Sequence, residues 1–262
     1  MIGGKTMIST PLCIKNNDRH ILGVWDKPDD FQSDHSKKVC LVCVGLNGNR
    51  VEKNRMLLKL SKALTTHGMS VIRFECSGLG VSEGDFWNSS VRTKVDDTLK
   101  VIKEINSLYP NETLEWNLLS YSDGISVVLA LLELENMVFN KLVAWSPILF
   151  PTTSEIKVPM RFVREPKTKQ LVIPFGGLWL GKEYLRDLSQ DTNLYDKLVK
   201  YASRVCCIWG LEDYKVQETI EKLRMVQDIK KAYIQGADHE FNSSQWLTSV
   251  IQHTLQWLII GD

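Results

Sequence analysis

Short apolar runs rich in β-branched residues alternate with helix-patterned segments along most of this chain: 39–46, then 51–67, 71–74, 90–107, 114–120, 125–135 and 142–145. A short, continuously apolar run reads as a strand buried on both faces, and strand–helix–strand repetition has few solutions beyond a parallel sheet with crossover helices on either side. The sequence therefore predicts an α/β fold with a mostly parallel central sheet flanked by helices. Ahead of the repeat, 9–16 and 20–26 read as two antiparallel strands joined by the turn formers Asn16, Asn17 and Asp18. Beyond it, 204–210 and 232–235 supply two more strands, and 243–259 a closing helix with an apolar face through Trp246, Val250, Leu255 and Leu258.

Between the strand ending near Ser146 and the one starting at Arg204 the rhythm breaks. Pro147, Pro151, Pro159, Pro166 and Pro174 punctuate this stretch. Met160 to Val163 and Gln170 to Ile173 flank Glu165, Pro166, Lys167 and Thr168 as a small hairpin, followed by Gly176, Gly177 and a helical run over 181–189. The expected organisation is a core domain of residues 1–148 and 204–262 with a cap inserted at 149–203. A chain of 262 residues accommodates one such domain.

Composition excludes several classes. A net charge of +1 gives no global attraction to nucleic acid or anionic membranes. The N-terminus lacks the apolar core of a signal peptide, and no stretch reaches the ~18 apolar residues of a membrane span. A soluble, cytoplasmic protein with no nucleic-acid partner and no membrane span is expected. Five of the six cysteines, Cys40, Cys43, Cys76, Cys206 and Cys207, lie in apolar runs, so buried reduced thiols are expected rather than disulfides. Cys40 and Cys43 form a CxxC, but an odd separation along a strand sends their sulfurs to opposite faces. Gly78, Gly80 and Gly84 do not keep the GxGxxG spacing of a dinucleotide loop, and Gly45 to Asn49 lacks the Lys-Ser/Thr ending of a phosphate loop. No metal and no cofactor are expected.

The chemistry concentrates after the strand 114–120, which runs into Ser120, Tyr121, Ser122, Asp123 and Gly124 and then directly into a helical pattern at Ile125, Val127, Val128 and Leu131. A nucleophile on so sharp a strand-to-helix turn needs small neighbours two residues away, and Ser120 and Gly124 satisfy that. Chain order adds to this. The strand 204–210 ends in Gly210, Leu211, Glu212 and Asp213, and the strand 232–235 ends in Gly236, Ala237, Asp238 and His239. A nucleophile, then an acid, then a histidine, each at the C-terminal end of a strand, is the order of a Ser-Asp-His triad on a parallel sheet. Of the histidines, His20 sits in the early hairpin, His35 in a polar loop, His67 at a helix end and His253 in the closing helix; His239 alone follows a central strand. Periodicity leaves Glu212 and Asp213 open as the acid.

A serine hydroxyl is a weak nucleophile until a base takes its proton, and that base needs a carboxylate to fix its tautomer and stabilise the imidazolium. Ser122, His239 and Asp213 or Glu212 fill those roles. The oxyanion formed on acyl attack needs fixed donors, and the backbone N–H groups of Asp123 and of Leu46, in the loop after the strand 39–45, are the candidates. Gly45 and Gly48 allow that loop a close approach.

With these residues in view, the chain resembles the cap-bearing bacterial esterases of the α/β-hydrolase superfamily, related to cinnamoyl and feruloyl esterases and to serine aminopeptidase-like hydrolases. The resemblance runs from about Val39 to Leu258 and rests on Gly45 to Glu52; on Arg73 and Phe74 with Gly78, Gly80, Ser82, Glu83, Gly84, Asp85 and Phe86; on the turn at Ser122; and on Gly236 to His239. It implies Asp213 rather than Glu212 as the acid. Departures are Val44 and Leu79 for two histidines, Glu75 and Ser77 for an Asp and an Arg, Ser120 for glycine, and the acidic Asp123 beside the nucleophile.

The leading expectation is hydrolysis of a small-molecule carboxylic ester through an acyl-serine, with Phe150, Phe162, Phe175, Trp179 and Tyr184 of the cap as candidates to line an acyl pocket. A second reading keeps the chemistry but makes the chain a thioesterase or acyltransferase acting on a thioester of coenzyme A or of an acyl carrier protein, drawn by the basic run Lys157, Arg161, Arg164, Lys167 and Lys169. A third is a catalytically silent hydrolase fold serving as a binding module.

Overall fold

The computed structural model describes residues 5–31, 37–134, 137–151, 162–175, 177–190 and 193–261. His35, Lys157, Pro159, Met160, Arg161 and Gly176 lie outside the described residues. The chain opens with a hairpin of β1 (Met7–Asn16) and β2 (Arg19–Pro28), turning at Asn17 with a positive φ of 56°. Then follow β3 (Lys37–Cys43), α1 (Met56–Thr66), β4 (Ser70–Phe74), α2 (Val91–Ser107), β5 (Leu114–Tyr121), α3 (Gly124–Leu132) and β6 (Leu142–Trp145). After the interruption come β10 (Val205–Gly210), α6 (Gln217–Leu223), β11 (Lys230–Ile234) and α7 (Ser244–Leu255), which runs on into a π-helical turn over Gln256–Ile260.

These strands form one eight-stranded sheet in the order β1-β2-β4-β3-β5-β6-β10-β11. β2 is antiparallel to both β1 and β4, and every other pairing is parallel. The alternating faces of β3 explain the two cores. Val39, Leu41 and Cys43 join the layer packed by α2 and α3, with Val101, Ile105, Ile125 and Val128. Cys40, Val42 and Val44 join the layer packed by α1 and α7, with Leu57, Leu60, Leu64 and Val250. The CxxC is thereby split across the sheet, as its spacing requires. All six cysteines are free thiols; Cys13 is exposed and the other five are buried.

The insertion between β6 and β10 contains a separate antiparallel sheet of β7 (Val163–Arg164), β8 (Leu171–Phe175) and β9 (Leu178–Gly181), followed by α4 (Lys182–Gln190) and α5 (Leu194–Val199). Over its described residues the expected hairpin is there, with Val163 and Arg164 paired antiparallel to Val172 and Leu171. The third strand was not foreseen: Gly177, at φ 82°, makes the turn that brings β9 back onto β8. β9 also presses on the segment before α2. A Cβ on Gly181 would lie 1.9 Å from the carbonyl oxygen of Trp87, so glycine is the residue that fits. Among the described residues no helix is long and apolar enough to cross a membrane, and no group of His, Cys, Asp or Glu could hold a metal ion.

Candidate active site

β5, β6, β10 and β11 run parallel side by side, with β11 at the edge of the sheet rather than central as expected for the strand ahead of His239, so the loops leaving their C-terminal ends gather on one side. The turn after β5 puts Ser122 in the left-handed region, at φ 59°. Its amide donates to Trp145 O at 2.9 Å, and its carbonyl accepts from Ile148 N at 3.4 Å. A Cβ on Gly124 would stand 2.3 Å from Cys43 O, so the first turn of α3 can lie against β3 only with glycine there. Ser120 is fully buried and its hydroxyl has no hydrogen-bond partner among the described residues. It meets the size requirement but leaves a polar atom unsatisfied.

Ser122 Oγ lies 2.8 Å from His239 Nε2, and His239 Nδ1 lies 2.6 Å from Asp213 Oδ2. A carboxylate only accepts, so Nδ1 carries the proton toward Asp213 and Nε2 is left to accept from the serine hydroxyl. Asp213 is 1% exposed and its other oxygen accepts from Lys215 N at 3.1 Å. Glu212, the other candidate acid, is exposed, and among the described residues only its amide is engaged, donating to Ala237 O at 3.0 Å. The structure thus brings Ser122, His239 and Asp213 into one hydrogen-bonded line and leaves Glu212 outside it. His20 bonds to Glu83, while His67 caps α1 and His253 sits on α7, all away from that line.

The histidine loop is held from two sides. Asp238 accepts from the amides of Glu240 and Asn242, each at 3.1 Å, and from the Asn242 side chain at 2.8 Å. Burial pushes the Asp238 carboxyl up, but those hydrogen bonds outweigh it and leave the group below its ordinary range. Tyr121 stacks on the imidazole with centroids 5.7 Å apart and donates its hydroxyl to His239 O at 3.3 Å. Burial raises the Tyr121 phenol well above its ordinary range, reinforced by the charge of Glu52.

Above this line opens a cleft of about 410 Å³, lined by the loop 45–49, Tyr121, Ser122, Asp123 and His239, by the apolar Ile148, Pro151, Phe175 and Tyr184, and by Glu52, Lys53, Lys215 and Glu240. Gly45 packs against Ser122 so closely that a Cβ on it would lie 3.2 Å from the serine Cβ. The amides of Leu46 and Asp123 donate to no acceptor among the described residues. Glu52 has a carboxylate oxygen on Asn49 N at 2.8 Å, and burial raises its pKa.

Of the aromatic residues expected to line an acyl pocket, Phe175 and Tyr184 reach the cleft and Phe150, Phe162 and Trp179 do not. Phe150 packs instead against Tyr195 of α5, at 6.1 Å between centroids. Phe162 and Trp179, 42% and 36% exposed, lie on the outside of the insertion, Trp179 paired across the strands with Pro174. Composition marks such a segment as aromatic; only the pairing register decides which rings face inward. Arg164, Lys167 and Lys169 do not line the cleft either; Arg164 and Lys169 spend hydrogen bonds on the carbonyls of Lys169 and Pro166 within their own hairpin.

Two contacts that brace the cleft were not foreseen from sequence pattern. The hydroxyl of Tyr184, from α4, donates to a carboxylate oxygen of Asp123. Lys94 on α2 is 3% exposed and its ammonium donates to Gly45 O and Leu46 O, both at 3.0 Å. Lys94 falls at helical spacing with Thr98, Val101 and Ile105, all buried, so a charged residue on the apolar stripe of α2 was the available signal.

No family model matches the sequence, and no curated protein matches it. Solved structures do. Est1E from Butyrivibrio proteoclasticus, solved with ferulic acid bound, matches over 94% of this chain and 99% of its own, with a TM-score of 0.73 at 19% identity. A serine hydrolase homologue from Coxiella burnetii matches over 95% and 97%, with a TM-score of 0.63 at 15% identity. Dienelactone hydrolase from Anabaena variabilis matches over 97% and 98%, with a TM-score of 0.63 at 11% identity. The eight-stranded, mostly parallel sheet, its flanking helices and these full-length likenesses together give this chain the α/β-hydrolase fold.

Proposed function

We propose that the chain is a serine hydrolase that cleaves a carboxylic ester through an acyl-serine intermediate. The observation that carries this reading is the hydrogen-bonded line Asp213–His239–Ser122 on the floor of an open cleft. Ser122 Oγ attacks the ester carbonyl as its proton passes to His239 Nε2, and the imidazolium so formed is stabilised by the buried Asp213 carboxylate. The developing oxyanion is taken by the amides of Leu46 and Asp123, which have no competing acceptor among the described residues. Collapse breaks the ester C–O bond, and Nε2–H returns the proton to the leaving alkoxide. Water, deprotonated by the same nitrogen, then attacks the acyl-serine, the bond from the acyl carbon to Ser122 Oγ breaks, and Nε2–H returns the proton to Oγ as the acid leaves.

The insertion acts in this reading as a cap, lending Phe175 and Tyr184 to the apolar side of the cleft. An aligned triad favours an active enzyme over a silent fold. The likeness to a structure holding ferulic acid supports a carboxylic acid with an apolar body as the acyl product. Five buried free thiols suit the reducing cytoplasm. The test is turnover of p-nitrophenyl esters of graded acyl length: Ser122→Ala lowers kcat on the order of 10⁶-fold, and a variant that kept wild-type turnover would overturn the assignment.

A further inference from the structure

The loop 45–48 supplies the Leu46 amide, yet the residue ahead of it, Val44, has no side-chain group that could hold the loop. Lys94 reaches it from behind. Its ammonium contacts the carbonyls of Gly45 and Leu46 and lies 5.5 Å from the centre of the Tyr184 ring. Among the described residues it makes no ion pair. A buried ammonium without a carboxylate is costly, and a methionine of similar length would fill the same space without that cost. Stability alone therefore does not account for a charge at this position.

Peptide planarity supplies a reason. The C=O and N–H of a trans peptide point in opposite directions. With the Gly45 carbonyl turned to Lys94, the Leu46 N–H turns to the other side, toward the cleft that both residues line. The Leu46 carbonyl, held by the same ammonium, fixes the next peptide likewise. Gly45 O also accepts from Gly48 N at 3.3 Å, closing the turn. We propose that Lys94 is the positioning residue of the oxyanion loop: its charge anchors two carbonyls and so aims the amide dipoles at the carbonyl oxygen of a bound ester. The inference rests on the hydrolase reading above, and it assigns to α2, through a side chain that never touches substrate, control over the rate of acyl transfer. Tyr184 covers the ammonium and bonds Asp123, so the insertion braces both halves of the oxyanion site.

The test compares wild type with Lys94→Met, Lys94→Gln and Lys94→Arg, using p-nitrophenyl acetate turnover and amide hydrogen exchange of peptides spanning residues 45–50. Lys94→Met should lose kcat on the order of 10²-fold, the scale of one displaced oxyanion donor, with KM little changed and faster exchange in 45–50. Lys94→Arg should recover part of kcat, and Lys94→Gln should fall between. Unaltered kcat in the Met or Gln variant, or a loss in which Arg is as poor as Met, would overturn the proposal. Should Lys94→Met fail to fold, the Gln and Arg variants decide the question alone. A wild type that neither turns over the ester nor is modified at Ser122 by a fluorophosphonate would sink the hydrolase reading instead, and the exchange comparison would still decide whether Lys94 holds the loop.

Discussion

Asp213 and Glu212 are neighbours in one loop, and their difference lies in environment rather than chemistry. The Asp213 carboxylate is buried and accepts from His239 Nδ1 and Lys215 N, whereas Glu212 faces solvent. Asp213→Asn offers His239 an amide and favours the wrong tautomer, so kcat on p-nitrophenyl acetate should fall by about 10⁴-fold, while Glu212→Gln should stay near wild type; the reverse ranking would exchange their roles. Glu52 gives a pH signature. Burial raises its folded pKa above the unfolded value, so the folded state holds that proton more tightly and the wild type loses stability as pH rises through this titration. Glu52→Gln removes the titrating group. Its melting temperature relative to wild type should therefore be more favourable near pH 7 than below about pH 4, and a difference that is flat or opposite in sign would refute the raised pKa. At this scale the sequence exposed Ser122 and His239 through residue type and chain order. Lys94 was hidden because a lysine in a helix usually faces water.

Elements were legible where their periodicity was strong. β6 fell at its expected residues, and β5 and α2 within one residue of them, because a buried strand and a long amphipathic helix each impose a regular pattern. α1 starts only at Met56, after a turn in which Glu52, Asn54 and Arg55 all take positive φ, and no propensity of those residue types announces that. The third strand of the insertion, β9, was likewise silent, since its first half is exposed and lacks alternation. Strand faces do make a prediction about thiols. Burial on opposite sides of β3 pushes both Cys40 and Cys43 up to about 12, and Cys206 and Cys207 are enclosed in β10. Native protein should therefore be alkylated by iodoacetamide at Cys13 alone, and at all six cysteines once unfolded in guanidinium. Rapid native labelling at Cys40 or Cys43 would contradict the packing of β3.

Over the whole molecule the sheet brings together residues more than a hundred positions apart: Ser122 after β5 meets His239 after β11 because the two strands rise in parallel through the same core. That convergence followed from the strand–helix alternation. The cleft's inner surface did not, because it depends on how the insertion docks and which of its rings turn inward. The claim that unites these scales is an activated serine at the head of an aligned triad. Exposing the wild type and Ser122→Ala to a fluorophosphonate and reading intact mass tests it directly. The expected result is one phosphonyl adduct on the wild type, mapped to Ser122, and none on the variant; an unmodified wild type, or equal labelling of both, would contradict an activated serine at this position.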